Sequence, residues 1–400
     1  MRKNNIINKL SKEEIHVINL MKNKLNELGV RGYIVGGAVR DILLDKEIKD
    51  IDICITCNPM CIINQLKEVK SFKYYKKFET STIIFNNGIE IDLIRCRKES
   101  YSYPGVLPEV IPSSIEDDLY RRDFTINSIA YNIIGNEIID RHNGTNDLEL
   151  KKIAKVHDNS YTEDPTRIFR AVKYSVRYNF GLEDIDEIKD NLQNGVLKFI
   201  SNDRIMREII LLCEEEKWIR NILLCKKLGI FNINKELLGK QNDLCNYSDI
   251  NHRIINLFLS LRDREDRNIF TDNSVLNRKL KEALVKYNIE IEKVSHFTCK
   301  TIDNFIIYDV LKNLNEYELI LYSFDYKNKY KIYNYLNNLK NIKLKIRGNE
   351  IKELGINEGK KIGNILKYLL KIKMNTMIAN EENLLKRNLG EILNGVEHKN

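Results

Sequence analysis

At 400 residues the chain is longer than one small core requires and points to roughly two to four domains. Its hydrophobic fraction of 43% is that of an ordinary folded protein, no run is apolar enough to cross a bilayer, and the polar start Met-Arg-Lys-Asn-Asn is no signal core, so a cytoplasmic protein with no membrane association is expected. The net charge of +8 permits a nucleic-acid partner without demanding one, because Lys and Arg alternate with Asp and Glu along most of the chain.

Residues 11–28 predict an amphipathic helix. Ser11 caps it, Glu14 is the capping-box partner, and Gly29 ends it. Ile15, Ile18, Leu20, Met21, Leu25 and Leu28 supply its buried stripe. Residues 33–35 then read as a buried strand. Gly36 and Gly37 allow a tight turn and close backbone approach to a ligand. Residues 38–44 have helical spacing, and their N-terminal N–H groups would face whatever sits over the glycines. That is a seat for a triphosphate, with Arg40 in reach of the same anion.

A second strand spans 51–55. Asp50 and Asp52, two apart, would project on one side while Ile51 and Ile53 enter the core. Such a pair holds Mg²⁺ beside a nucleotide and suits two-metal phosphoryl or nucleotidyl transfer. Asp-x-Asp alone is more often a solvated face, and Gly-Gly before a helix occurs in many loops. Their ordered combination, residues 34–53, resembles the signature of the class II tRNA nucleotidyltransferase (CCA-adding enzyme) and bacterial poly(A) polymerase family.

Cys54, Cys57 and Cys61 lack the second pair that a zinc site needs and read as reduced structural thiols. His157-Asp158 has no accompanying ligands and reads as a chance pair. Residues 60–70 predict a helix, 80–85 a strand, and Asn86-Asn87-Gly88 a hairpin turn into a strand at 89–94. That strand carries Glu90 and Asp92 on one face. Either could complete a carboxylate triad with Asp50 and Asp52; the resemblance aligns Glu90 better. Residues 97–115 read as a polar, Tyr-rich loop. In the family this loop typically bears basic residues and is tied to the switch from C to A addition, whereas here 101–108 lack that basic pair.

Arg121 and Arg122 offer guanidinium forks for triphosphate oxygens, and Asn127 offers a donor and an acceptor for a ribose hydroxyl. The string Arg-Arg-Asp-Phe-Thr-Ile-Asn-Ser-Ile-Ala, beginning at Arg121, is similar to the family motif nearly residue by residue. Residues 140–148 resemble the turn joining catalytic head to helical neck, with Gly144 supplying the turn. In residues 163–173, Pro165 fits a first helical turn, while Asp164, Arg167, Arg170 and Lys173 recur along a narrow face. A surface ion-pair ladder would look the same. The resemblance instead implies that Asp164 and Arg167 read the Watson–Crick edge of CTP or ATP, aided by Arg170 and by Lys173, which replaces a more usual Arg.

Residues 200–208 start a capped helix that resembles the neck-to-body segment, and 210–340 read as a helical body without a catalytic constellation. Near the end, Gly348, Gly359, Lys360 and Lys361 suggest a backbone-and-cation clamp on RNA phosphates, as in the tail of bacterial CCA-adding enzymes. A glycine-punctuated helical hairpin is the plainer reading. The last residues are expected to fray.

The implied fold is α+β: a polymerase-beta-like nucleotidyltransferase head with a mixed, largely antiparallel sheet (1–140), then an all-helical neck (141–205), body (206–340) and tail (341–400). The implied activity is template-independent, Mg²⁺-dependent transfer of CMP and AMP from CTP and ATP to the tRNA 3′ end. Asp50 and Asp52, with Glu90, would be catalytic. Poly(A) polymerase, CC- or A-adding specialists, a non-catalytic tRNA-binding protein and a small-molecule nucleotidyltransferase are the alternatives.

Overall fold

The computed structural model describes residues 6–300 and 303–376; the expected fraying of the last residues lies outside these. Backbone contacts divide the chain into two compact units, residues 1–233 and 234–400.

The first unit opens with α1 (Lys12–Leu28), where Ser11 and Glu14 close the capping box and Gly29 takes the left-handed conformation. Val17, Ile18, Met21 and Leu25 are its buried side. Then come β1 (Gly32–Val35), α2 (Gly37–Leu43), β2 (Ile51–Ile55) and α3 (Met60–Ile63). Strands β3 (Val69–Tyr75), β4 (Thr80–Phe85) and β5 (Glu90–Arg95) follow, and then the short hairpin β6 (Arg97–Ser100) and β7 (Glu109–Pro112). Helix α4 (Ile115–Tyr120) leads to β8 (Ile129–Asn132) and β9 (Glu137–Asp140).

Seven strands form one sheet in the order β3-β4-β5-β2-β1-β8-β9. Only β2 and β5 run parallel; the other neighbours are antiparallel. The sheet is therefore mixed and largely antiparallel, as expected. One stretch of a sheet face is covered by α4, whose Ile115 and Leu119 pack on Tyr33, Val35, Cys54, Cys96 and Ala130.

Two expectations are corrected. The helix read at 60–70 is a single turn, α3, followed by β3, because Val69, Phe72, Tyr74 and Tyr75 are strand formers. Residues 97–115 are not all loop: their ends pair as β6 and β7 around 101–108.

Helix α5 (Gly144–Glu149) and strand β10 (Lys152–Ile153) leave the head. The left-handed residue of that turn is Asn143, not Gly144. Gly144 is required for another reason: a Cβ there would lie 2.1 Å from the Thr125 carbonyl oxygen. Next come α6 (Ser160–Glu163), α7 (Thr166–Tyr178), β11 (Gly181–Leu182) and α8 (Ile185–Gln193). The unit closes with α9 (Asn202–Glu214) and α10 (Trp218–Leu228), both packed on α7. Ile168, Phe169, Ala171 and Val172 of α7 are fully buried, which fixes the opposite side of that helix as the one available to a ligand.

The second unit is helical among its described residues. It contains α11 (Ile250–Ser260), α12 (Arg264–Thr271), α13 (Arg278–Lys300), α14 (Asn304–Leu311), α15 (Glu316–Ser323) and α16 (Tyr326–Asn337). The last two are α17 (Gly348–Lys352) and α18 (Gly359–Thr376). Ile346 and Ile351 pack with Ile362, Ile365 and Leu369 of α18.

Candidate active site

The catalytic candidates stand on the sheet face partly roofed by α4. In-register residues of neighbouring strands point to one face. Val35 lies opposite Asp52, Asp52 opposite Asp92, and Asp92 opposite Thr82. The apolar end of this face is sealed by Ile115 and Leu119, and the carboxylates occupy the stretch that α4 leaves open. Burial is the first cause that pushes the Asp52 carboxyl up to about 6; nearby Asp92, Asp50 and Asp118 add to it and Arg122 opposes it. Asp50 sits just before β2 and is exposed.

The register places Asp92 beside Asp52, and its Oδ1 accepts from Thr82 Oγ1 at 2.6 Å. Glu90 pairs instead with Ile84 at the exposed start of β5. Glu90 thus stands two residues along β5 from the row that holds Asp52 and Asp92.

The glycine turn lies over the same face. Gly36 has φ 68 and ψ −128, a conformation that disfavours any side chain. A Cβ there would lie 2.7 Å from Arg122 Nη1 and 3.8 Å from Asp52 Oδ2. Gly37 starts α2, where a Cβ would meet Arg40 Nη2 at 3.5 Å. Arg40 is buried and bidentate to Asp41, at 3.0 and 2.9 Å. It also donates to Asn127 Oδ1, and its guanidinium lies 4.8 Å from the Tyr178 ring centre.

Arg121 and Arg122 emerge at the end of α4, both tied to Asp118 on the buried side of that helix. Arg121 donates to Oδ1 at 3.0 and 2.7 Å and to Glu99 Oε1 at 3.1 Å. Arg122 donates to Oδ2 at 3.3 and 2.9 Å. Burial alone would raise the Asp118 carboxyl, but the two guanidinium groups outweigh it and hold it down at about 2. Asp123 is likewise held at about 2: burial is outweighed by Arg170, by the Asn127 amide and by Arg167. Asn127 Nδ2 donates to Asp123 Oδ1 at 2.9 Å, and Arg170 Nε to Oδ2 at 2.7 Å.

Helix α7 and its approach form the facing wall. Asp164 Oδ1 accepts from the Thr166 amide and hydroxyl at 3.1 and 2.7 Å and from Arg204 Nη2 at 2.8 Å. Arg167 is buried and donates to Ser160 Oγ at 2.7 Å and to the Arg121 carbonyl at 2.8 Å. The Tyr174 ring is surrounded by the guanidinium groups of Arg40, Arg170 and Arg177, at 5.2, 5.4 and 5.7 Å.

One cavity of about 810 Å³ gathers Gly36, Gly37, Arg40, Asp50, Asp52, Arg121, Arg122, Asn127, Asp164, Arg167 and Arg170 into its lining. Residues far apart in sequence thus converge as expected. Lys173 does not line the cavity; it is buried, and its ammonium group is pushed down first by desolvation and then by Arg170. His157 is stacked on Tyr120 with centroids 5.0 Å apart, and burial, followed by the Arg167 and Lys155 charges, lowers it to about 4.

Sequence reasoning missed Glu99, Asp118, Asp123, Tyr174 and Arg177. Adjacent arginines that must stay charged while buried demand buried carboxylates, and Asp117-Asp118 just before them was the available signal.

Among the described residues no three His, Cys, Asp or Glu side chains already form a metal cage. The donor set nonetheless fits Mg²⁺, which takes one or two carboxylates and completes its shell with water and substrate phosphates. The raised Asp52 carboxyl is the sign of that fit: crowded carboxylates on a half-buried face are what a divalent cation would relieve.

A carboxylate row on an open mixed sheet, with a glycine turn and paired arginines above it, defines a nucleotidyltransferase-type head. Residues 32–154 match the family described as Poly A polymerase head domain. The chain is 30% identical over 372 residues to an A-adding tRNA nucleotidyltransferase of Aquifex aeolicus, covering 86% of this chain and 45% of that protein. It is 35% identical over 227 residues to an A-adding tRNA nucleotidyltransferase of Geobacter sulfurreducens, covering 55% and 26%. A Thermotoga maritima CCA-adding enzyme complexed with tRNA superposes with a TM-score of 0.70 at 24% identity, covering 97% of each chain; that likeness shows the fold. Residues 32–154 therefore carry the head domain of that family, and the chain as a whole is similar to tRNA nucleotidyltransferases. It spans less than half the length of the two curated relatives just named.

Proposed function

We propose that this chain is a tRNA nucleotidyltransferase that adds C, C and A to the tRNA 3′ end from CTP and ATP, releasing pyrophosphate. The observation that carries the reading is the single cavity in which Asp50 and Asp52, the Gly36–Gly37 turn, Arg121, Arg122, Asp164 and Arg167 meet. The terminal 3′-hydroxyl oxygen bonds to the α-phosphorus, the bond to the β-phosphate oxygen breaks, and the hydroxyl proton is lost. Asp50 and Asp52 would hold Mg²⁺, with Asp92 beside them. When bound, the metal lowers the pKa of the attacking hydroxyl and neutralises charge on the triphosphate. Arg121 and Arg122, each already fixed by Asp118, orient the phosphates without having to be ordered on binding. The Gly36 and Gly37 backbone approaches the same oxygens.

Base selection is assigned to Asp164 and Arg167. The hydrogen bonds of Asp164 described above all fall on Oδ1, leaving Oδ2 as an acceptor for the 4-amino group of C or the 6-amino group of A, where U and G carry a carbonyl. Arg170 sets the wall by holding Asp123. In the second unit, Gly348, Gly359, Lys360 and Lys361 at the starts of α17 and α18 remain the proposed contacts to tRNA phosphates. Lys361 pairs there with Glu358 at 3.3 Å. A cytoplasmic location is part of the same proposal.

A second reading, an A-adding specialist, is favoured by the loop 101–108. It lacks the family's basic pair, and its Gly105 is docked on residues 199–200, where a Cβ would lie 2.6 Å from the Phe199 carbonyl oxygen. Purified protein with Mg²⁺, labelled CTP and ATP, and tRNA lacking CCA, ending in C-C, or complete separates the two. C-C-A on the first acceptor, A on the second and nothing on the third supports complete addition. A on the second alone supports the specialist, and no incorporation on any acceptor rejects both.

A further inference from the structure

Strand β3 and the turn after it carry a stretch that the site above does not use. It reads Lys70-Ser71-Phe72-Lys73-Tyr74-Tyr75-Lys76-Lys77-Phe78, bases interleaved with aromatics and no acid. β3 is the outer strand of the sheet and mostly exposed.

Its register decides which side faces the chemistry. Lys73 lies opposite Thr82, Thr82 opposite Asp92, and Asp92 opposite Asp52. Lys73 and Tyr75 therefore stand on the carboxylate face. Lys73 is three strand spacings from Asp52, ~14 Å at a spacing near ~4.8 Å. Phe72, opposite Ile83, falls on the other face.

The surface is continuous with the cavity. Tyr75 and Phe78 line the cavity itself. Phe78 and Arg97 also line an adjoining hollow of about 200 Å³, together with Lys76, Lys77 and Arg95. Arg95 Nε in that hollow is buried without a hydrogen-bond partner. Among the described residues, Lys70, Lys73, Lys76 and Lys77 form no ion pair. Lysines on an edge strand do guard against aggregation, but an aromatic ring left 41% exposed at Tyr75 works against that purpose. Its ring lies under Lys73, Nζ to centroid 4.9 Å.

We propose that the carboxylate face of β3 and the Lys76–Lys77–Phe78 turn form a track for the single-stranded 3′ segment of the RNA acceptor. The inference rests on the acceptor assigned under the proposed function. Tyr75 and Phe78 offer stacking surfaces that tolerate any base, and Lys73, Lys76 and Lys77 take the phosphates. The track ends at Asp50 and Asp52, so a strand laid along it delivers its terminal hydroxyl to the carboxylates.

The test is equilibrium binding of a fluorescein-labelled single-stranded RNA oligonucleotide, without nucleotide, over a range of salt. Lys73→Ala/Lys77→Ala is compared with wild type and with the opposite-face variant Phe72→Ala; Lys73→Gln/Lys77→Gln repeats the first with the strand's polarity retained. The track-side variants should weaken binding about 10-fold and flatten the log K against log salt slope by about 1.4, at ~0.7 per lost phosphate contact. The opposite-face variant should bind as wild type does. An unchanged slope, an equal loss from both faces, or an equal loss for a blunt RNA duplex would overturn the track. Binding is read without turnover, so the two readings fail separately. A protein that binds through this face but extends no tRNA loses the transfer reading alone. An active protein whose acceptor KM is unmoved by Lys73→Ala/Lys77→Ala loses the track alone.

Discussion

Asp118 gives Oδ1 to Arg121 and keeps Oδ2 for Arg122, whose Nη2 lies 2.9 Å away. The carboxylate has no exposed surface, so the pair of arginines assigned to the triphosphate is held by a charge buried beneath them. Removing it leaves two guanidinium groups buried without compensation. Asp118→Ala should destabilise the protein by about 3–5 kcal/mol, the usual scale for breaking a buried pair, and Asp118→Asn by less because its oxygen still accepts. Urea unfolding at pH 7 checks the order wild type, Asn, Ala.

The same carboxylate makes an acid prediction. Asp118 and Asp123 are both held at about 2, below the ordinary range. A depressed folded pKa means stability that is present above the unfolded value near 4 and is lost as pH falls toward 2. Unfolding free energy should therefore drop steeply between about pH 4 and pH 2, and Asp123→Asn should flatten that drop. A wild-type profile flat through this window would contradict both pairings.

Asp52 predicts the opposite sign. Burial and its acidic neighbours raise it to about 6, so between about pH 4 and pH 6 the folded state holds a proton that the unfolded state has released. Its contribution to stability falls as pH rises through that window, and above it the ionised group is a net cost. Asp52→Asn should stabilise the metal-free protein at pH 7 by about 1–3 kcal/mol while abolishing transfer. Thermal unfolding with and without Mg²⁺ checks this: wild type should gain stability from the metal, more at pH 7.5 than at pH 5.5, and the variant should gain little.

What was legible in the sequence was local. The Ser11–Glu14 capping box, the Gly36–Gly37 turn, β2 and the hairpin turn at Asn86–Gly88 each follow from a few adjacent residues, and each is where it was expected. The choice between Glu90 and Asp92 depended on the register of β5 against β2, which no alternation pattern fixes. The carboxylates Glu99 and Asp123 were illegible for a related reason. Their roles come from arginines delivered by other elements, such as Arg170 to Asp123, 47 residues apart. β3 was missed, the helix expected at 60–70 overlapping only its first two residues, because its two-faced exposure removes the alternation that marks a half-buried strand.

Gly36→Ala tests the turn. Gly36 sits at φ 68 and ψ −128, where a side chain costs about 1–3 kcal/mol. The new methyl would also displace the Arg122 guanidinium from its 2.7 Å approach. The flexible end of Arg122 can yield, so the protein should fold with modestly reduced stability. Nucleotide KM should rise about 10-fold, equivalent to ~1.4 kcal/mol, and equally for CTP and ATP, because the displaced group is the one assigned to the phosphates and not to the base.

Arg204 joins the loop to Asp164, the residue proposed to select the base. One guanidinium nitrogen donates to the Gly105 carbonyl oxygen, and the other to Asp164 Oδ1 at 2.8 Å. Gly105 in turn donates its amide to the Glu163 carbonyl at 3.2 Å. A loop docked in this way constrains the carboxylate assigned to the base edge, although Arg204 is not among the cavity-lining side chains. Arg204→Ala should free Asp164 to rotate while Thr166 still binds it. Because Arg204 acts through Asp164, the informative readout is the ratio of CMP to AMP incorporation on tRNA acceptors lacking CCA and ending in C-C. That ratio should change about 5-fold or more, a coupling of ~1 kcal/mol, with thermal stability little altered. Arg204→Lys, which keeps the charge but loses the fork, should leave the stability unchanged and restore only part of the ratio. A proportional loss of both activities would mean that Arg204 merely supports the fold and that Asp164 is oriented by Thr166 alone.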